Sequence, residues 1–172
     1  TGGSPLFSVC DIAFMTPQSE YRPTEYMQAW AEMWFDPARR MEKARCFLRR
    51  RAQMTAECWQ ENSYLQKLGI VLSDAVLERF HSDLEQAKDV QELLLAEARW
   101  AKRLYADLAR GHGFSFVREE GARRSTSKAD ACNGFLDHGN YIAYGYAAVA
   151  LCGLGISFAM PILHGKTRRG AL

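Results

Sequence analysis

Residues 89–113 read DVQELLLAEARWAKRLYADLARGHG, and this stretch decides the fold. Asp89 is a good helix N-cap, because its short carboxylate can accept the unpaired amides of a first turn. Apolar residues then recur as Leu94, Ala98, Ala101, Leu104, Tyr105 and Leu108. Steps of three and four residues place them on one helical face. Gly111-His112-Gly113 supplies the stop, since glycine accepts the left-handed conformation that closes many helices. The reading is an amphipathic helix from Asp89 to about Arg110.

The same logic extends in both directions. Ser73-Asp74 offers a cap, and Asp74 to Lys88 fits a helix with Val76, Leu77, Phe80 and Leu84 inward. Thr24 to Phe35 reads as a helix begun by a Thr cap. Asp36-Pro37 restarts the pattern, with Asp as cap and Pro at the first helical position, and that helix runs to about Trp59. Residues 1–23 are punctuated by Pro5, Pro17 and Pro23, and Phe7 to Phe14 could hold a short strand. Residues 114–128 form a polar, basic loop. Ala129 to about Cys152 is helical again and is ended by Gly153 and Gly155. The expected fold class is mainly α, with residues 1–23 as an extended linker and residues 24–172 as one helical domain.

Tyr141 to Leu163 spans 23 residues without a charge, long enough to cross a membrane. Gly153, Gly155 and Pro161 break its second half, and Asn140 with Tyr141, Tyr144 and Tyr146 makes its first half only semi-apolar. It therefore reads as a buried central helix rather than a span.

The chain has 172 residues, 48% hydrophobic and 24% charged, a balance that excludes a disordered tail and fits one domain. It starts Thr1-Gly2-Gly3 and stops at Gly170-Ala171-Leu172, which reads as a piece of something longer. Cys10, Cys46, Cys58, Cys132 and Cys152 are odd in number and irregularly spaced, against a disulfide framework or a zinc ribbon. Reduced cysteines in a cytoplasmic protein are the simplest reading. Residues 1–98 carry eleven Lys/Arg against fifteen Asp/Glu, a charge of −4, whereas residues 99–172 carry eleven against five, a charge of +6. Such asymmetry hints at an anionic partner for the C-terminal part.

Several residues could carry chemistry. Glu97 lies three residues after Leu94 and four before Ala101, so spacing puts a carboxylate beside the apolar stripe. A buried carboxylate must be paired, protonated or metal-bound. From spacing alone, an ion pair in the neighbourhood of Arg99, or a partly exposed edge position, is the simpler account. Arg99 and Arg103 share a face that could neutralise phosphates or merely be solvated. His164 ends the apolar approach Pro161-Ile162-Leu163, as a metal ligand, a general base or a core histidine. Lys166, Arg168 and Arg169 follow as a basic cluster. Asp137 and His138 are adjacent, diverge by about 100° on a helix, and read as structural. His81 and His112 read as surface residues. Arg39, Arg40, Lys43, Arg45, Arg49, Arg50 and Arg51 cover most of the circumference of the second helix, which fits a DNA-facing or a solvated outer helix alike.

Three segments together resemble the CRISPR-associated endonuclease-integrase of spacer acquisition, nearest its subtype I-F form. They are Leu94-Leu95-Ala96-Glu97-Ala98-Arg99 with Lys102-Arg103-Leu104, Asp130 to Tyr141 (DACNGFLDHGNY), and Leu163 to Gly170 (LHGKTRRG). Thr16 to Tyr26 (TPQSEYRPTEY) looks like the same subtype. The resemblance implies an N-terminal β-sheet domain before Thr1 and a helical catalytic domain holding Mg²⁺ or Mn²⁺. Glu97 and His164 match its metal ligands and catalytic residues. The remaining acidic ligand is expected beyond Leu172, so the fragment alone would be inactive. Arg99, Lys166, Arg168 and Arg169 would hold DNA phosphates, and Asn133 and Tyr144 match polar positions lining the site. The resemblance further implies action on double-stranded DNA (prespacer and CRISPR repeat), a homodimer, a small ferredoxin-like partner fused to a helicase-nuclease, no membrane, and a prokaryotic cytoplasmic location. The alternative is a non-catalytic helical DNA-binding or protein-interaction module, resting on the C-terminal charge and the Arg-rich helix. A small membrane protein using residues 141–163 is the third reading.

Overall fold

A computed structural model describes residues 4–7, 12–15, 24–118 and 127–164. The architecture is mainly helical: β1 (Ser4–Phe7), β2 (Ile12–Met15), α1 (Thr24–Phe35), α2 (Pro37–Glu61), α3 (Ser63–Lys67), α4 (Asp74–Gln86), α5 (Val90–Gly111) and α6 (Lys128–Leu154). The chain divides into two compact units. One is residues 1–40 with 136–172, the other residues 41–135.

In the first unit β1 and β2 pair antiparallel, with Ser4 opposite Met15 and Phe7 opposite Ile12. The short strand expected within Phe7 to Phe14 corresponds to β2, which pairs with a second strand that ends at Phe7. α1 ends at Phe35, and Asp36 caps α2 as expected: its Oδ1 accepts from the amides of Ala38 (2.9 Å) and Arg39 (3.1 Å). Beyond α6, Trp30 Nε1 donates to the Met160 carbonyl at 3.1 Å and Trp34 Nε1 to that of Pro161 at 2.9 Å. Arg40 Nε donates to Ile162 O at 3.0 Å. Met33 and Ile162 are buried.

In the second unit, Met41, Ala44, Leu48, Ala52 and Trp59 bury one face of α2. Leu65, Ile70 and Leu72, Phe80 and Leu84 of α4, Ala87 after it, and Leu93, Ala96, Trp100, Leu104 and Ala109 of α5 join them in the core. Each fully buried Leu or Phe side chain contributes about 1.5–3 kcal/mol relative to exposure. The buried stripe of α5 is therefore rotated from the expected one: Leu94 is only half-buried and Ala98 is exposed. Three consecutive leucines, 93–95, permit either phase, and packing against α4 selects the one that points Leu93 and Trp100 inward. Asp89 caps α5 by accepting from Glu92 N at 2.8 Å, and Glu92 Oε2 in turn accepts from Lys88 N at 2.7 Å. Gly113 (φ 72°) closes it, with Phe114 N bonded to Ala109 O at 3.0 Å. The short α3 escaped the periodicity reading; Asn62 Oδ1 caps it by accepting from Tyr64 N and Leu65 N.

α6 corrects a second expectation. Among its residues only Asn133 is buried, while Phe135, Tyr141, Ile142, Tyr144 and Tyr146 are exposed. It is not a buried central helix within the described residues. Apolar composition states that a face wants covering and not what covers it. Gly155 (φ 70°) ends the helix as expected. Among the described residues, no helix is long and apolar enough to cross a membrane.

Candidate functional site

The residues proposed from sequence fall in both units, and each is described where it lies. Glu97 belongs to residues 41–135. On α5 it follows buried Ala96 and precedes buried Trp100 by three positions, which sets it at the rim of the core rather than inside it. Its side chain is 23% exposed, and Arg51 Nη1 donates to its Oε1. The partner is thus Arg51 of α2, not the neighbourhood of Arg99. Arg51 comes three residues after buried Leu48 and one before buried Ala52, so the α2 core face fixes its backbone. Its guanidinium lies 5.8 Å from the ring centroid of Trp100. Trp100 in turn stacks on Phe80.

Arg99 is turned the other way and donates to Asp83 Oδ2 at 3.0 Å, a carboxylate that Arg79 also engages at 3.1 Å. Arg103 and Arg110 both pair with Asp107, each at 2.8 Å. The cationic face of α5 is accordingly matched by carboxylates, although Arg99 remains 61% exposed. The Arg-rich α2 is likewise partly consumed. Arg40 lies over Trp34, Arg45 donates to Leu84 O (3.0 Å) and Ala87 O (2.5 Å), and Arg49 pairs with Glu85. Those two carbonyls belong to the last turn of α4 and its C-cap, where a cation meets the negative end of the helix. The Arg49 guanidinium holds the Glu85 carboxyl below the usual carboxylate range.

Asn133, 2% exposed, accepts from Arg118 Nη1 and donates to Val117 O, both at 3.1 Å. It ties the start of α6 to residues 117–118, a structural task. His164 lies in the unit of residues 1–40 and 136–172 and is half-buried. It directly follows the segment whose carbonyls Trp30, Trp34 and Arg40 hold, so its backbone approach is fixed by α1 and the first turn of α2. Tyr144 lies in the same unit and is 44% exposed on α6. Lys166, Arg168 and Arg169 lie outside the described residues. Among the described residues, no three His, Cys, Asp or Glu side chains are grouped as a metal site. Sequence reasoning missed Arg51 as the partner of Glu97. The signal, one arginine among seven positive residues, did not single it out.

The family model described as "CRISPR associated protein Cas1" matches residues 12–172. The chain is 44% identical over 180 aligned residues to the CRISPR-associated endonuclease Cas1 of Pseudomonas aeruginosa strain UCBPP-PA14, covering 99% of this chain and 54% of that protein. It is 37% identical to the CRISPR-associated endonuclease Cas1 of Pectobacterium atrosepticum strain SCRI 1043, with the same coverage of 99% and 54%. The chain thus spans about half the length of the curated relatives it matches.

Proposed function

The chain belongs to the CRISPR-associated Cas1 family, and from that premise we propose that it is the helical catalytic part of a DNA endonuclease-integrase. The reaction is attack of a 3′ hydroxyl on a phosphodiester of the CRISPR repeat, inserting short captured DNA. The observation that carries the reading is the position of Glu97, a carboxylate at the rim of the core that keeps 23% exposure. The side of Glu97 toward the core is anchored by α5 and its other side meets solvent. A ligand must be anchored on one side and open on the other.

Glu97 and His164 would hold Mg²⁺ or Mn²⁺. A carboxylate and an imidazole suit these hard or borderline cations, whereas structural zinc favours thiolates. When bound, such a cation orients the attacking hydroxyl and offsets charge building on the phosphate. Two protein donors fall short of a full shell, so the reading requires a further carboxylate from elsewhere in the full-length protein. Arg99, Lys166, Arg168 and Arg169 bind DNA phosphates, and Tyr144 presents a ring and a hydroxyl from α6. For Arg99 this means exchanging Asp83 for a phosphate, which makes binding salt-sensitive. The reading includes prespacer and repeat duplexes as substrates, a homodimer, a small ferredoxin-like partner fused to a helicase-nuclease, and the prokaryotic cytoplasm as the place of action.

The test is Mn²⁺-dependent strand transfer by the full-length protein. Glu97→Ala and His164→Ala should each abolish it while leaving the fold intact. Full activity in both variants would sink the assignment.

A further inference from the structure

Glu97 is met by a cation from another helix, and that cation has a second place to rest. Arg51 donates to Glu97 Oε1. Its guanidinium carbon also stands 5.8 Å from the centroid of Trp100, three residues along α5 from Glu97 and on the same side of the helix. Trp100 is 4% exposed and held by Phe80, so the indole face is a fixed platform. Arg51 itself is 50% exposed, and its guanidinium reaches water as well as protein.

We propose that Arg51 is a displaceable counter-ion for Glu97: it occupies the carboxylate when no divalent cation is present and yields it when one enters. The proposal rests on Glu97 being a metal ligand. The physical argument is one of competition. A carboxylate beside Leu93, Ala96 and Trp100 has lost part of its hydration, and an ion pair offsets that loss. A dication carries twice the charge and bonds the oxygen directly, so it wins at the carboxylate. The displaced guanidinium keeps the indole face and gains water, which makes the exchange cheap. In the pair, the charge of Glu97 is offset by that of its partner. The cost is affinity, because every cation that binds must first break the pair and then sit near a positive charge.

The sign of the effect follows. Removing the charge at residue 51 should tighten metal binding, whereas a residue that merely positions Glu97 would, when removed, loosen it. Exposed and half-exposed ion pairs contribute up to about 1 kcal/mol, which corresponds to a gain of about two- to fivefold in affinity. The experiment is calorimetric titration of the full-length protein with Mn²⁺, with free Mn²⁺ followed in parallel by electron paramagnetic resonance. Arg51→Met and Arg51→Gln, two neutral replacements of differing polarity, should both bind Mn²⁺ about two- to fivefold more tightly. Arg51→Lys should stay near the parent. Glu97→Gln should lose most of the affinity in either background. Unchanged or weakened binding in both neutral variants, with Glu97→Gln still impaired, overturns the counter-ion role and leaves the ligand reading standing. Parent-like binding by Glu97→Gln overturns the ligand reading itself.

Discussion

The indole ring of Trp100 lies flat on the phenyl ring of Phe80, with centroids 4.5 Å apart and planes 6° from parallel. The pair joins α4 to α5 and ends one turn from Glu97, so packing and candidate site share a foundation. Removing it should be felt in both. Phe80→Ala is expected to cost about 3–5 kcal/mol, read as a lower urea midpoint, and to lower strand transfer with it. Phe80→Leu should cost clearly less, since most of the volume is kept.

Arg45 bridges the last turn of α4 and its C-cap through Leu84 O and Ala87 O. Arg45→Met should destabilise by about 1.5–3 kcal/mol, the range for hydrogen bonds involving a charged group. Arg45→Lys should recover little, because an ammonium lacks the fork that reaches two carbonyls at once. Chemical denaturation of the three proteins side by side distinguishes these outcomes.

The two glycines that flank His112 act for different reasons. At Gly113 the backbone has φ 72°, and nothing stands within 4 Å of where a Cβ would be. Gly113→Ala should therefore cost only conformational strain, about 1–2 kcal/mol. At Gly111 an added Cβ would run into the side chain of buried Ile70. Gly111→Ala should be partly rescued by Ile70→Ala, which removes both clashing carbons, and Gly113→Ala should not. Melting temperatures of the single and double variants measure this.

Glu85 supplies a pH signature. Its carboxyl is held below the usual range by the hydrogen bond from Arg49. A depressed folded value means the stabilisation is present above the ordinary carboxylate value and is lost as the pH falls through the lowered one. The melting temperature of the parent should exceed that of Glu85→Gln slightly at neutral pH, and the gap should close on acidification. A gap that widened in acid would contradict the assignment. Glu85 is exposed, so the effect is small and best read at low salt.

Much of the helical frame is legible from the sequence because its boundaries are written in local chemistry. Asp36-Pro37, Asp89 and Gly113 each act on amides or carbonyls within a turn, and each does so in the structure. The phase of α5 is not local. Leu93, Leu94 and Leu95 are equivalent until Phe80 arrives from α4. α6 misleads for a related reason: its composition asks for a cover, and among the described residues Tyr141 and Tyr146 have none. Glu97 was legible as an unusual carboxylate, but its partner lies 46 positions away, and no spacing rule links Arg51 to it.

The anchoring of residues 160–162 has one more consequence. Trp30, Trp34 and Arg40 grip main-chain oxygens there, not side chains. What leads the chain to His164 is thus specified in part by the donors on α1 and α2, whose hydrogen bonds read the held residues only as peptide, although Ile162 also buries its side chain. Within this segment, Met160 is comparatively free to drift in identity. Trp30, Trp34 and Arg40 are not, and a histidine could be misplaced by a change more than a hundred positions upstream of it.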